Sequence, residues 1–163
     1  MADTIIHFFT NFDPYSATIF LSMIPLTELR LAIPAVYGVF DIPLWQIFFL
    51  SLFGNIIPAI ILVYLLEPVS NFLRKHFKFF ERFFTWLFDR TRKKFYNKHD
   101  KWGDIVLLLF VAIPLPITGV WTGSAAAFLF GVKKPKAILL MLGGITIAAI
   151  IVTLLTAGVF SLV

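Results

Sequence analysis

The chain has 163 residues, 60% of them hydrophobic and 14% charged, with a mean hydropathy of +0.91. A soluble domain carries about 45–50% apolar and about 25% charged residues, so this composition points to an integral membrane protein forming one domain over 1–163. The absence of cysteine excludes a disulfide scaffold and thiol-based metal sites or catalysis, while the net charge of +5 raises nucleic-acid binding until the placement of the basic residues is considered.

The opening segment, MADTIIHFFTNFDP, contains no Lys or Arg. It lacks the positive n-region of a signal peptide and is expected to be mature sequence. Four apolar stretches follow, at 14–40, 42–66, 105–132 and 137–163, with a basic, aromatic arm at 67–104 between the second and third.

The first stretch is interrupted by IPLTELRLAIP at 24–34. The apolar pieces on either side, 14–26 and 31–40, amount to about 20 Å and about 15 Å of helix at about 1.5 Å per residue. A spanning helix must cross a hydrocarbon core about 30 Å thick. Proline removes a backbone donor and clashes with the preceding turn, so each piece should end at one. The expected form is a re-entrant helical hairpin with Pro25 and Pro34 at its tip. Such a tip is tolerated at membrane depth only when it is buried in protein or lines a wet cavity.

Glu28 and Arg30 stand in that tip. One reading is an ion pair that pins it, since intramembrane charges usually pair. Residues two apart do not face each other on a helix, however, so contact requires irregular backbone. The other reading is functional. Arg30 is a permanent cation with a fork suited to phosphate or carboxylate, and Glu28, taken out of water, is a group able to bind and release a coupling proton.

The second stretch is long enough to span. Gly54, Asn55 and Pro58 interrupt its aliphatic run, and Asn55 is either an interhelical hydrogen-bonding residue or a substrate ligand. In the arm, Phe72, His76, Phe79, Phe80, Phe83 and Leu87 share one helical side, and Arg74, Lys75, Lys78, Glu81 and Arg82 the other. That describes an amphipathic helix lying on a membrane surface rich in anionic lipid. Because the aromatics follow one helical face, nucleic acid is not the expected partner. The histidines at 7, 76 and 99 are scattered without metal-ligand spacing, and neither a metal nor a cofactor is expected.

The third stretch breaks at IPLPITGVWTG, 113–123. It reads as a second re-entrant hairpin with Pro114, Pro116, Gly119 and Gly123 at the tip and Thr118, Trp121 and Thr122 as its polar groups. Gly119 and Gly123 form a GxxxG spacing that lets backbones approach. The tip is either pure packing or a polar cup whose free N–H groups attract anions. The last stretch contains a second spanning helix, 137–160, with a glycine notch at Gly143 and Gly144. The alternative for 105–132 is a single kinked span, but if the stretch is re-entrant, 13 of the 14 basic residues lie on one side, as the positive-inside bias prefers. The arm would then be cytoplasmic and both termini outside.

A shift of 89 residues lays IPL at 24–26 on IPL at 113–115 and Gly54 on Gly143. No gap is needed from Ile24 to Leu66. The chain thus reads as an all-α polytopic protein of two inverted repeats, 1–66 and 105–163, each a hairpin followed by a span, joined by the arm. Inverted repeats with broken helices are the layout of many secondary transporters, whose substrate lies between the repeats.

PLTELRLAIP, a span containing GN, and PLPITGVWTG together resemble the small multidrug-export family of bacteria and archaea. That family is in turn similar to the DedA-like membrane proteins with paired re-entrant hairpins. The resemblance covers roughly 20–160. It implies an inner-membrane transporter or flippase, not an enzyme, moving a polyprenyl phosphate or other phospholipid with proton coupling through Glu28, the match to the acidic residue of the first DedA-like hairpin. DedA-like proteins carry arginines in the second hairpin where PITGVWTG has none, which leaves Arg30 as the substitute. The expected substrate contacts are Glu28, Arg30, Asn55, Thr118, Trp121 and Thr122, and the expected membrane-surface contacts Arg74, Lys75, Lys78 and Arg82. Export of small cationic drugs and a non-transporting scaffold are the alternatives. A homodimer is an expected partner state.

Overall fold

The computed structural model describes residues 13–83, 85, 86, 100–114 and 118–162. Pro116, and the arm from 87 to 99 with Leu87, lie outside the described residues. Within them the chain is all-helical: α1 (Pro14–Met23), α2 (Glu28–Val39), α3 (Leu44–His76), α4 (Asp100–Ala112), α5 (Val120–Leu129) and α6 (Lys134–Phe160), with further helical residues at 78–83. Two helices, α3 and α6, are long and apolar enough to cross a membrane. The 10 to 13 residues of α1, α2, α4 and α5 make at most about 20 Å of helix, too short for a core of about 30 Å.

Several boundaries differ from the sequence reading. α2 begins at Glu28 rather than at Leu31, so the two charges occupy the first turn of a helix. Pro25 and Pro114 follow the ends of α1 and α4, as expected of stops, but Pro34 lies inside α2, and Pro58 and Pro68 lie inside α3. Neighbouring helices and local adjustment compensate the lost backbone bonds in such settings. α3 runs past Leu66 to His76, absorbing the start of the arm. It closes with Arg74, Lys75 and His76 in its last turn, where positive charge favours a helix C-terminus. Phe77 then adopts an extended conformation, so the arm is not one continuous amphipathic helix. Phe72 and His76 stack on each other, ring centroids 4.2 Å apart, at the end of α3.

Contacts at the helix ends orient the bundle. Lys134 at the start of α6 pairs with Glu67 of α3 at 2.6 Å, and Phe160 at the other end of α6 packs edge-on against Tyr37 near the end of α2. Since α3 starts just after α2, α3 and α6 run antiparallel. Asp104 of α4 pairs with Lys136 of α6, so the stretch from α4 to α6 leaves one end of the molecule and returns to it. The arm end thus gathers Glu67, Asp104, Lys134 and Lys136. The opposite end gathers Tyr37, Gly38 and Phe160.

The long helices turn aromatic and branched side chains outward, including Phe49, Phe53, Ile60, Ile147, Ile150 and Leu154. Their packed faces carry small or polar residues: Ser51, Gly54, Asn55 and Ala59 on α3, and Gly144, Ala148, Ala149 and Thr156 on α6. Small residues at helix interfaces permit close backbone approach where lipid supplies no hydrophobic drive between helices. A Cβ on Gly54 would lie 2.6 Å from the Ile19 carbonyl oxygen and 2.9 Å from Ser22 Cβ; one on Gly144 would lie 2.9 Å from the Leu108 oxygen and 2.7 Å from Val111 Cβ. Ile19 and Ser22 fall on Leu108 and Val111 under the 89-residue shift. The α1–α3 crossing therefore matches the α4–α6 crossing, with Gly144 rather than Gly143 in the notch. Helix ends agree with the same shift, Met23 falling on Ala112 and Val39 within one residue of Leu129. Each pair of helices in substantial contact also has its counterpart when α1, α2 and α3 are exchanged for α4, α5 and α6.

Gly54→Ala and Gly144→Ala are each expected to lower the melting temperature of the purified protein by about 2–12 °C, from an overpacking cost of about 1–3 kcal/mol. Gly158→Ala, where an added Cβ meets nothing within 4 Å, is expected to leave it unchanged or raise it. Circular-dichroism melting in detergent checks all three.

Candidate functional site

The two breaks in the helices meet. Each leaves unpaired carbonyls at the end of one helix and unpaired N–H groups at the start of the next, and such groups require partners away from water. At the end of α1, the Thr27 hydroxyl donates to the Leu21 carbonyl. The indole N–H of Trp121, from the second tip, donates to the Met23 carbonyl at 3.2 Å. At the end of α4, the Thr118 hydroxyl donates to the Ile113 carbonyl at 2.9 Å. Both tips thus use a threonine to satisfy the carbonyl end of the preceding helix.

Glu28 and Arg30 complete this set across the two halves. The start of α5 has Gly119 as its N-cap, with no side-chain hydrogen bond from that residue. The Glu28 carboxylate fills the vacancy by accepting from the backbone N–H groups of Val120 and Trp121. A negative charge there also complements the positive end of the helix dipole. Glu28 is 6% exposed and takes a positive φ of 44°, a left-handed conformation uncommon for a non-glycine residue. Gly119, at φ 132°, cannot carry a side chain in this place: a Cβ would lie 2.0 Å from Glu28 Oε2.

Arg30 reaches the opposite kind of helix end. Its Nη1 donates to the Thr118 carbonyl and, at 2.8 Å, to the Thr118 hydroxyl. Its Nη2 donates to the Val111 carbonyl, in the last turn of α4, at 3.3 Å. A cation at a helix C-terminus complements the negative end of the dipole. Glu28 and Arg30 are also 4.0 Å apart, from Oε2 to Nε. The two charges of the first tip therefore clasp the two helix ends of the second, and their mutual contact is the longest of these interactions.

A cavity of about 470 Å³ opens beside the clasp. Glu28, Arg30 and Thr118 form its polar end, and Leu31, Val152 and Val159 belong to its apolar walls. Pro25, Pro34 and Pro114 also line it, as does Phe160, so it lies between the tips and the end of the molecule opposite the arm. Its size suits a small amphiphile.

The other expected contacts are placed elsewhere. Trp121 bonds α1. The Thr122 hydroxyl has its own helix's Gly119 carbonyl at 3.5 Å. Neither of them lines the cavity, and nor does Asn55. Asn55 is fully buried, and neither of its side-chain polar atoms has a hydrogen-bond partner among the described residues; the interhelical bond expected of it is not made. Gly119 and Gly123 do not form one backbone-approach surface. Gly119 makes room for Glu28, and Gly123 for a methyl group of Val111, 2.6 Å from where a Cβ would sit. Arg74, Lys75, Lys78 and Arg82 lie at the arm end. Val120, Thr156 and Phe160 escaped the sequence reading; the 89-residue shift carried no signal for a cap made across the two halves.

A family model described as "Putative small multi-drug export protein" matches residues 28–151, from Glu28 through both tips and into α6. No curated protein and no solved structure matches the chain. With two apolar helices able to cross a membrane and three quarters of the sequence covered by the match, the chain belongs to the small multi-drug export family of membrane proteins.

Proposed function

We propose that this membrane protein exports an amphiphile with an anionic head, and that the clasp between the tips is both its binding site and its gate. The observation that carries this reading is the donor set around Glu28. The Trp121 and Val120 N–H groups donate to its carboxylate, and the Arg30 guanidinium lies beside it, Nε 4.0 Å from Oε2. Such a set is built for an anion, and the anion held there is the protein's own carboxylate. The adjoining cavity offers apolar walls for the body of the ligand.

The mechanism follows from this competition. With Glu28 ionised, its carboxylate caps α5 and keeps the tips together. A proton on Glu28 removes the charge, weakens the cap and frees Arg30 and the α5 N-terminus for the head of the substrate. Loss of that proton returns the carboxylate and expels the head. Proton and anion thereby exchange at one place, and a polyprenyl phosphate or phospholipid is one member of the class it admits. Export of a cation would require a carboxylate free to receive it, whereas Glu28 is occupied at α5.

The transport frame in this reading is a pair of inverted repeats whose re-entrant tips meet in mid-membrane. The matched glycine crossings, the antiparallel α3 and α6 and the pairing of Asp104 with Lys136 support it. The arm, with its basic residues, then lies in the cytoplasm of a cell whose inner membrane holds the protein, and both chain termini lie outside.

Binding of a fluorescent short-chain alkyl phosphate to purified protein is the test. Arg30→Ala is expected to weaken it tenfold or more, since a hydrogen bond to a charged group contributes about 1.5–3 kcal/mol. Glu28→Gln is expected to keep or strengthen it and to abolish the gain in affinity that wild-type protein shows as pH falls. Equal binding by wild type and Arg30→Ala would sink the proposal. Retained phosphate binding in Arg30→Ala, with loss of cationic-drug binding in Glu28→Gln, would favour cation export instead.

A further inference from the structure

A second cavity, of about 500 Å³, lies at the arm end of the molecule and has no part in the clasp. Val63, Glu67, Ser70 and Asn71 of α3 line it. Under the 89-residue shift these four fall on Val152, Thr156, Val159 and Phe160. All but one of the counterparts are apolar, and all four line the cavity beside the tips. The two cavities are thus equivalent positions in the two halves of the chain, one near each end of the bundle. Their chemistry has diverged.

The arm-end cavity is cationic. Among the described residues that line it are the bases Arg74, Lys133 and Lys134 and the carboxylate of Glu67. Glu67 is already paired to Lys134 at 2.6 Å, and Lys134 also sits over the Tyr64 ring, 5.5 Å from its centroid. Lys133 is the N-cap of α6 and supplies no side-chain cap, so the α6 N–H groups add to the positive potential of the same wall. Deeper in, the wall becomes apolar, with Val63, Ala127 and Phe128. The apolar run of α3 ends at Leu66 and that of α6 begins at Ala137, which sets the cavity at the level where lipid headgroups meet water.

We propose that this cavity binds the phosphate head of an anionic membrane lipid, with Arg74 and Lys133 as its principal contacts. A cationic rim over an apolar wall at headgroup depth matches a phosphate attached to an acyl body. Basic pockets between membrane helices on one face recognise anionic headgroups through this combination. Free inorganic phosphate shares the charge but not the apolar contact. The proposal rests on the membrane placement and not on the anion selectivity of the tips.

The test uses the full chain in phosphatidylcholine nanodiscs, carrying Arg30→Ala so that the tip site does not contribute. The probe is fluorescent phosphatidic acid, with inorganic phosphate as competitor. Arg74→Gln combined with Lys133→Gln is expected to weaken probe binding at least tenfold. Lys75→Gln combined with Lys78→Gln removes the same charge from exposed arm positions outside the cavity and is expected to change it less than twofold. Inorganic phosphate is expected to displace the probe only at concentrations far above the probe's own affinity. Equal losses in the two double variants would overturn the site in favour of general surface charge. Displacement by inorganic phosphate at matched concentration would overturn the lipid assignment.

Discussion

A helix end that stops inside an apolar body leaves backbone groups with nowhere to turn, and the architecture of this protein follows from that constraint. Four short helices end in mid-bundle. Water does not reach such ends in lipid, and each unsatisfied group costs several kcal/mol. The chain meets the demand by facing the two breaks toward each other, so that each supplies what the other lacks. Glu28 caps α5, Arg30 takes carbonyls at the end of α4 and in the second tip, and Trp121 takes one at the end of α1. The cost of burying the two charges is offset by hydrogen bonds to helix ends of opposite sign. Neither charge depends on the other alone.

The rest of the bundle keeps these ends in register. Gly54 and Gly144 bring α1 onto α3 and α4 onto α6 at backbone distance, which fixes where α1 and α4 stop relative to the long helices. The antiparallel α3 and α6 then place the two tips against each other. In the proposed mechanism the gate is coupled to the whole frame, because opening the clasp would strip the partners from several helix ends at once. The packing at the clasp is tight: Gly119 has no room for a side chain so long as Glu28 is in place.

The membrane class, the two long helices, the short broken pieces and the special status of Glu28 and Arg30 were legible in the sequence because hydropathy, length and proline placement encode them locally. The partners of those charges were not. An i, i+2 pair suggested either mutual contact or a substrate, and nothing local reveals that the carboxylate of residue 28 caps a helix beginning at residue 120. Asn55 misled for the same reason: its type predicts a hydrogen bond, but whether an acceptor stands opposite is a tertiary matter. Proline is a stop at Pro25 and Pro114, which follow the ends of α1 and α4, but not at Pro34, which lies inside α2. The continuous face pattern of the arm predicts one amphipathic helix, although Arg74 and Lys75 in the last turn of α3 mark a terminus.

In the proposed mechanism the clasp seals the tip cavity from the arm end of the molecule. A single cysteine at position 118, in a chain with none of its own, tests it through labelling by a membrane-impermeant maleimide in oriented vesicles. Labelling is expected only from the face opposite the arm, with arm-side labelling appearing when Glu28→Ala removes the cap. Arm-side labelling already present with Glu28 intact, or a pattern unchanged by Glu28→Ala, would contradict it.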